Sequence, residues 1–167
     1  MPIDAQAFKI GMRRLAAGVC LITTEDADGA RSGMTATAVC SLSVDPVSVL
    51  ICVNRSTSFI KAIEASGHFA LNVLSREDEG IARAFGSPSG RDQRFCQGEW
   101  YELEGLPALR SSLSTILCKV AGHMDFGSHR IYFGHVNQIE NRAGRPGLIF
   151  CHGEYRSLIP RGLRSLR

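Results

Sequence analysis

Gly33-Met-Thr-Ala-Thr-Ala-Val-Cys-Ser-Leu-Ser-Val-Asp-Pro46 sets the period of the chain. Over residues 34–41, Met34, Ala36, Ala38 and Cys40 fall on one face and Thr35, Thr37, Val39 and Ser41 on the other. A period of two predicts one β-strand, and Asp45-Pro46 turns the chain after it. Upstream, residues 19–24 form a second apolar run, separated from the first by the turn chemistry of residues 25–29. Ahead of that, Asp4 is placed to cap a helix whose apolar positions Phe8, Met12, Leu15 and Ala16 recur at helical spacing, with Gly18 as its stop. Downstream, residues 47–53 predict a buried strand. Ser58 then caps a short helix carrying Phe59, Ile60 and Ile63, closed by Gly67. Residues 69–74 return to β, and Ser75 with Asp78 has the form of a capping box opening a helix to Phe85. Residues 86–94 are a polar excursion. Two long β stretches, 113–126 and 130–139, meet at Gly127-Ser128, and a last strand covers 148–152.

About seven closely spaced strands with two or three helices between them predict a mainly β fold, an antiparallel barrel with helical inserts. The strands do not alternate with helices, and no Gly-x-Gly-x-x-Gly follows a strand, so a dinucleotide-binding doubly wound sheet is not expected.

The chain has 167 residues, 44% hydrophobic and 21% charged, with a net charge of +3. That suits one domain, expected over 1–158, followed by a basic tail at 159–167 that carries Arg161, Arg164 and Arg167. The other basic residues are dispersed, which argues against a nucleic-acid partner. No apolar run approaches membrane-spanning length, and the start lacks the pattern of a secretory leader, so a cytoplasmic protein is expected. Cys20, Cys40, Cys52, Cys96, Cys118 and Cys151 are far apart and form no Cys-x-x-Cys pair. With the five histidines equally scattered, reduced thiols and no metal site are the expectation.

Two stretches carry chemistry. A strand alternating small residues with threonine gives close backbone access and a row of hydroxyls, a surface suited to a planar heterocycle with a polyol tail. At the end of the next strand, Val53-Asn-Arg-Ser-Thr-Ser58 joins a helix N-terminus, three hydroxyls and Arg55 into the makings of a phosphate site.

With these stretches goes an ordered set of further motifs. It includes Gly18-Val19, Thr23-Thr24, Ser41-Leu-Ser43, Asn72-Val-Leu74, Ala82 with Phe85, and Arg94-Phe95. It continues through Trp100, Gly105-x-Pro107, Gly127-x-His129, Gly134-x-Val136 and Gly153-x-Tyr155. Over residues 5–158 the chain resembles the flavin reductases of the split-barrel flavin-binding fold, the reductase partners of two-component flavin-dependent monooxygenases. The resemblance implies a homodimer that reduces FMN or FAD with NADH or NADPH by direct hydride transfer. Flavin is then expected along Gly33, Met34, Thr35, Ala36, Thr37, Ala38 and Ser41. Cys52, Val53, Asn54, Arg55, Ser58 and Phe59 would lie around its ribityl phosphate, with Phe85 closing over them. The nicotinamide is expected near His129 and near His152, Gly153, Glu154 and Tyr155. Ser128 stands where such enzymes usually carry Asp, leaving His129 without an adjacent carboxylate and favouring a positioning role for it. The two stretches alone also fit a non-enzymatic flavin- or haem-binding barrel, or an oxidase of the pyridoxamine-phosphate-oxidase kind.

Overall fold

The computed structural model describes residues 3–158; the basic tail expected at 159–167 lies outside them. After helix α1 (Ala5–Met12) come strands β1 (Ala17–Gly18), β2 (Cys20–Glu25), β3 (Arg31–Ala36), β4 (Val39–Val44) and β5 (Val47–Asn54). Helix α2 (Phe59–Ser66), strand β6 (His68–Val73), a 3-10 turn (Arg76–Asp78), helix α3 (Glu79–Gly86) and a second 3-10 segment (Arg91–Cys96) follow. Strands β7 (Trp100–Leu103), β8 (Leu106–Leu109), β9 (Ser114–Phe126), β10 (His129–Asn141), β11 (Gly147–Cys151) and β12 (Glu154–Leu158) complete the described chain.

Seven strands make one antiparallel sheet in the order β3-β2-β6-β9-β10-β5-β4. Its inner face supplies one core, in which Ala36 of β3 meets Ile22, Val49, Ile51, Phe69, Cys118 and Tyr132. Residues from edge strand and central strands share that cluster because the sheet curls into a split barrel. Strand β2 and the residue before it are buried on both faces: Cys20 and Ile22 point into the barrel, Val19 and Leu21 into a second cluster with Leu74, Phe85, Leu109 and Leu148. That double burial explains why residues 19–24 read as a continuous apolar run. Inside the barrel the Tyr132 hydroxyl is buried without a hydrogen-bond partner, but the polar groups around Asn72 are satisfied. Asn72 donates to Leu21 O and Thr23 Oγ1 and accepts from Leu109 N, and Thr23 Oγ1 donates to Pro107 O at 2.6 Å.

Several local readings hold. Asp4 accepts from Gln6 N and Ala7 N, Gly67 ends α2 at φ 68°, and Ser75 with Asp78 forms the capping box. Others are corrected. Helix α1 ends at Met12, and Gly18 lies in β1, paired with Ile149. The apolar face of α1 finds no core: Phe8 is 62% exposed and Met12 48%. Ser58 sits at the start of α2 but makes no side-chain cap. The single strand read over 34–41 is two strands, β3 and β4, broken at Thr37-Ala38 and lying at opposite edges of the sheet. Ala36 and Val39 both face the barrel core, so the face parity slips by one at the break. Hairpin β7–β8 and strands β1 and β12 add to the expected set. No helix among the described residues is long and apolar enough to cross a membrane.

Candidate active site

Edge strand β3 forms one wall of a cleft of about 640 Å³. Because β3 pairs only with β2, half of its backbone N–H and C=O groups point away from the sheet. Gly33 is the closest point of approach: the Phe85 ring packs on it so tightly that no side chain fits between. Thr35 Oγ1 donates to Ala82 O at 2.7 Å, fastening α3 along the strand. Phe85, 2% exposed, is therefore a fixed floor rather than a cover. Phe95 and Trp100 brace it, with ring centroids at 5.1 and 5.7 Å.

Two of the three arginines of the cleft come from the segment expected to be only a polar excursion. Arg91 and Arg94 line the cleft, with Arg31 of β3. Arg94 is a structural strap, donating to Ala84 O, Gly33 O and Ser87 O; burial and the nearby charge of Arg91 lower its pKa. Arg31 pairs with Glu25 at 2.9 Å. Arg91 reaches across to donate to Ser58 Oγ at 3.0 Å, bringing its charge to the N-terminal end of α2. Sequence reading did not place Arg91 and Arg94 in the site because residues 86–94 have no periodicity; the available signal was two arginines three apart in a Gly/Ser/Pro segment.

Of the expected flavin contacts, Gly33, Met34, Thr35, Ser58, Phe59 and Phe85 line this cleft. Ala36 and Val53 turn their side chains into the barrel core, leaving only backbone to offer. Thr37, Ala38 and Ser41 are exposed at and beyond the strand break. Cys52 faces outward from β5, its N–H bonded to Ala38 O at 3.0 Å, and burial raises its thiol pKa.

Asn54 and Arg55 stand with the β9–β10 hairpin instead. Asn54 is opposite His129 in the sheet register, and Arg55 N donates to Ser128 O at 3.0 Å. Arg55 Nε lies 3.5 Å from Asp125. Ser128 Oγ and His129 Nδ1 share a 2.9 Å hydrogen bond, so the serine supplies the partner that the expected carboxylate would have been. At the other end, His152 (φ 55°) and Gly153 (φ 81°) turn the chain from β11 into β12. Glu154 pairs with Arg156. Tyr155 packs on Phe150 under the guanidinium of Arg83, with its hydroxyl beside Gly86 of the cleft rim. The structure thus brings Tyr155 to the cleft and His129 to Arg55, two separate neighbourhoods. Among the described residues no three His, Cys, Asp or Glu converge as metal ligands.

Comparison with known proteins gives the same outline. Residues 12–158 match the flavin reductase like domain. The chain is 39% identical over 166 residues to the NADH-dependent FMN reductase RutF 1 of Methylorubrum extorquens, covering 99% of this chain and 82% of the relative. The nitrilotriacetate monooxygenase component B homolog from Mycobacterium thermoresistibile superposes with a TM-score of 0.88 at 32% identity, over 94% of this chain and 88% of that one. The NADH:FAD oxidoreductase SgcE6 of Streptomyces globisporus C-1027, solved in complex with NAD and FAD fragments, superposes at 0.87 with 26% identity over 96% and 98% of the two chains. A domain match across nearly all of the described residues, carried by a split barrel and a full-length relative, means that the chain belongs to the flavin reductase family.

Proposed function

We propose that this chain is an NAD(P)H:flavin oxidoreductase that reduces FMN or FAD and releases the reduced flavin to a partner monooxygenase. The observation that carries the reading is the pairing, in one cleft, of an unpaired strand edge at Gly33, Met34 and Thr35 with the guanidinium of Arg91. The residues fit the group: backbone donors and acceptors suit the edge of a flavin ring, and Arg91, Ser58 and the first turn of α2 suit its phosphate. FMN with NADH is the pair to try first, because the similar Methylorubrum protein is named for it.

Bound flavin supplies the hydride chemistry; the protein binds, orients and keeps water out. Gly33 lets the strand backbone approach, Phe85 holds the floor, and the aromatic brace of Phe95 and Trp100 keeps that floor from moving. Tyr155 and His129, which stand in separate neighbourhoods of one chain, are proposed to flank the nicotinamide across a homodimer, His129 by positioning and not by proton transfer.

The working form is proposed to be a homodimer. Register places Leu50, Cys52, Met124, Phe126, Ile131 and Phe133 together on the outward face of β5, β9 and β10. Met124 is 51% exposed and Phe126 76%. His129 lies on that same face, opposite Phe126. A second copy laid there covers the apolar surface and walls the His129 neighbourhood. Sedimentation at micromolar concentration tests this: a fully active monomer overturns it. Six free thiols support a reducing, cytoplasmic setting.

The test of function is an anaerobic mixture of protein, FMN or FAD, and NADH or NADPH, followed at the flavin absorbance. Catalytic bleaching supports the reading. Flavin that binds without bleaching marks a carrier barrel, and flavin reduced only by another substrate marks an oxidase.

A further inference from the structure

Asp125 is shared by two arginines that lead in different directions. It stands directly opposite Arg130 in the β9–β10 register. The Arg130 fork grips it from both sides, Nε at 2.5 Å from Oδ1 and Nη2 at 2.9 Å from Oδ2. The remaining arm of Arg130 donates to Glu64 on α2. On the other side Arg55 Nε approaches Asp125 Oδ2 at 3.5 Å. The same Arg55 holds the hairpin tip, through Nη1 to Gly127 O at 3.4 Å and backbone N to Ser128 O at 3.0 Å. A continuous polar chain therefore runs from α2, whose first residue Phe59 lines the flavin cleft, to the two residues preceding His129.

We propose that Asp125 is a positioning residue: by joining Arg130 to Arg55 it fixes the hairpin tip, and with it His129, relative to α2 and the cleft. The proposal rests on the reductase reading above. It gives Arg55 a role other than holding flavin phosphate, that of a strut. Asp125 does not itself meet the ligands of His129, because residues 125 and 130 face inward while 126 and 129 face outward. Hydrogen bonding from Arg130 holds the Asp125 carboxyl below its ordinary range. Exposed ion pairs add little to stability one at a time. A bidentate fork adds geometry, and geometry at a positioned group is what sets its effect.

The test combines kinetics with amide hydrogen exchange. In Asp125→Ala, exchange should speed up at residues 127–130 and stay unchanged in β2 and β6, which reports that the barrel is folded. The KM for NADH should rise by about threefold to tenfold, while kcat and the KM for FMN stay within about twofold. Asp125→Asn keeps an accepting oxygen and should recover part of the loss. Adding Asp125→Ala to His129→Ala should make NADH binding no worse than His129→Ala alone. Unchanged exchange at the tip, additive effects in the double variant, or a fall in kcat with unchanged KM for NADH each overturns the proposal. A wild-type chain inert toward every flavin and nicotinamide pair overturns the reductase reading instead, and the exchange measurement still decides whether Asp125 holds the tip.

Discussion

A Cβ added to Gly33 would stand 2.8 Å from Cε1 of Phe85 and 3.2 Å from Ile22 O, with backbone on one side and a braced ring on the other. Gly33→Ala should therefore destabilise the fold by about 1–3 kcal/mol, the usual range for overpacking, and weaken FMN binding at the same time. Gly134→Ala is the control. Its Cβ would meet Phe69 at 2.6 Å inside the barrel, away from the cleft, so melting should fall while FMN affinity of the folded protein persists. Thermal melts and fluorescence titration of flavin separate the two.

Arg91 and Arg55 make opposing predictions. If Arg91 holds the flavin phosphate, Arg91→Ala should raise the KM for FMN by about tenfold or more through loss of a charge-assisted contact, with little change for riboflavin. Arg55→Ala should act mainly on NADH, because its guanidinium is spent on Asp125 and Gly127. An FMN-specific defect in Arg55→Ala and none in Arg91→Ala would return the phosphate to Arg55, where sequence reading placed it.

For His129, partnered by Ser128 rather than a carboxylate, His129→Asn should keep most of the turnover, and His129→Ala should chiefly raise the KM for NADH. Steady-state kinetics at saturating flavin check this. A fall in kcat of about 10²–10⁴ in both variants would mark an acid–base role instead.

The thiols set an alkaline limit. Burial raises Cys20 and Cys118 from the ordinary value of 9.0 to about 12. Both stay protonated in the fold, whereas in the unfolded chain they ionise from about pH 9. Stability from them is therefore complete below pH 9 and lost as pH climbs toward 12, at up to about 1.4 kcal/mol per pH unit for each thiol. Urea midpoints measured between pH 8 and 10.5 should fall, and the slope should flatten in Cys20→Val/Cys118→Val. Exposed Cys40 and Cys96 should react with a thiol reagent at once, Cys20 and Cys118 only on unfolding.

Much of the barrel was legible because its strands announce themselves. The β9–β10 hairpin was placed within about two residues at each end of both strands, since two long apolar stretches flank Gly127-Ser128. The β7–β8 hairpin was not, because its arms are four residues long and one contains Pro107. Strand β12 was hidden by a turn that puts His152, a non-glycine, at positive φ. The break at Thr37-Ala38 was invisible because both residues continue the small–hydroxyl pattern while the backbone changes edges. In the site, small residues on β3 were readable from composition along the strand. Arg91 was not, because its place depends on how a loop without periodicity folds back over α2.

That break has a consequence for the life of the protein outside its reaction. Thr37 and Ala38 alone carry the chain from the first edge of the seven-stranded sheet to the last, so both raw edges meet at one seam. Such edges recruit foreign strands. Seated along β3 as proposed, a flavin would occupy the same backbone groups an intruding strand would seek, and so would act as a guard against self-association. Protein stripped of flavin should scatter light on gentle warming, and added FMN should suppress that scattering at concentrations near its Kd.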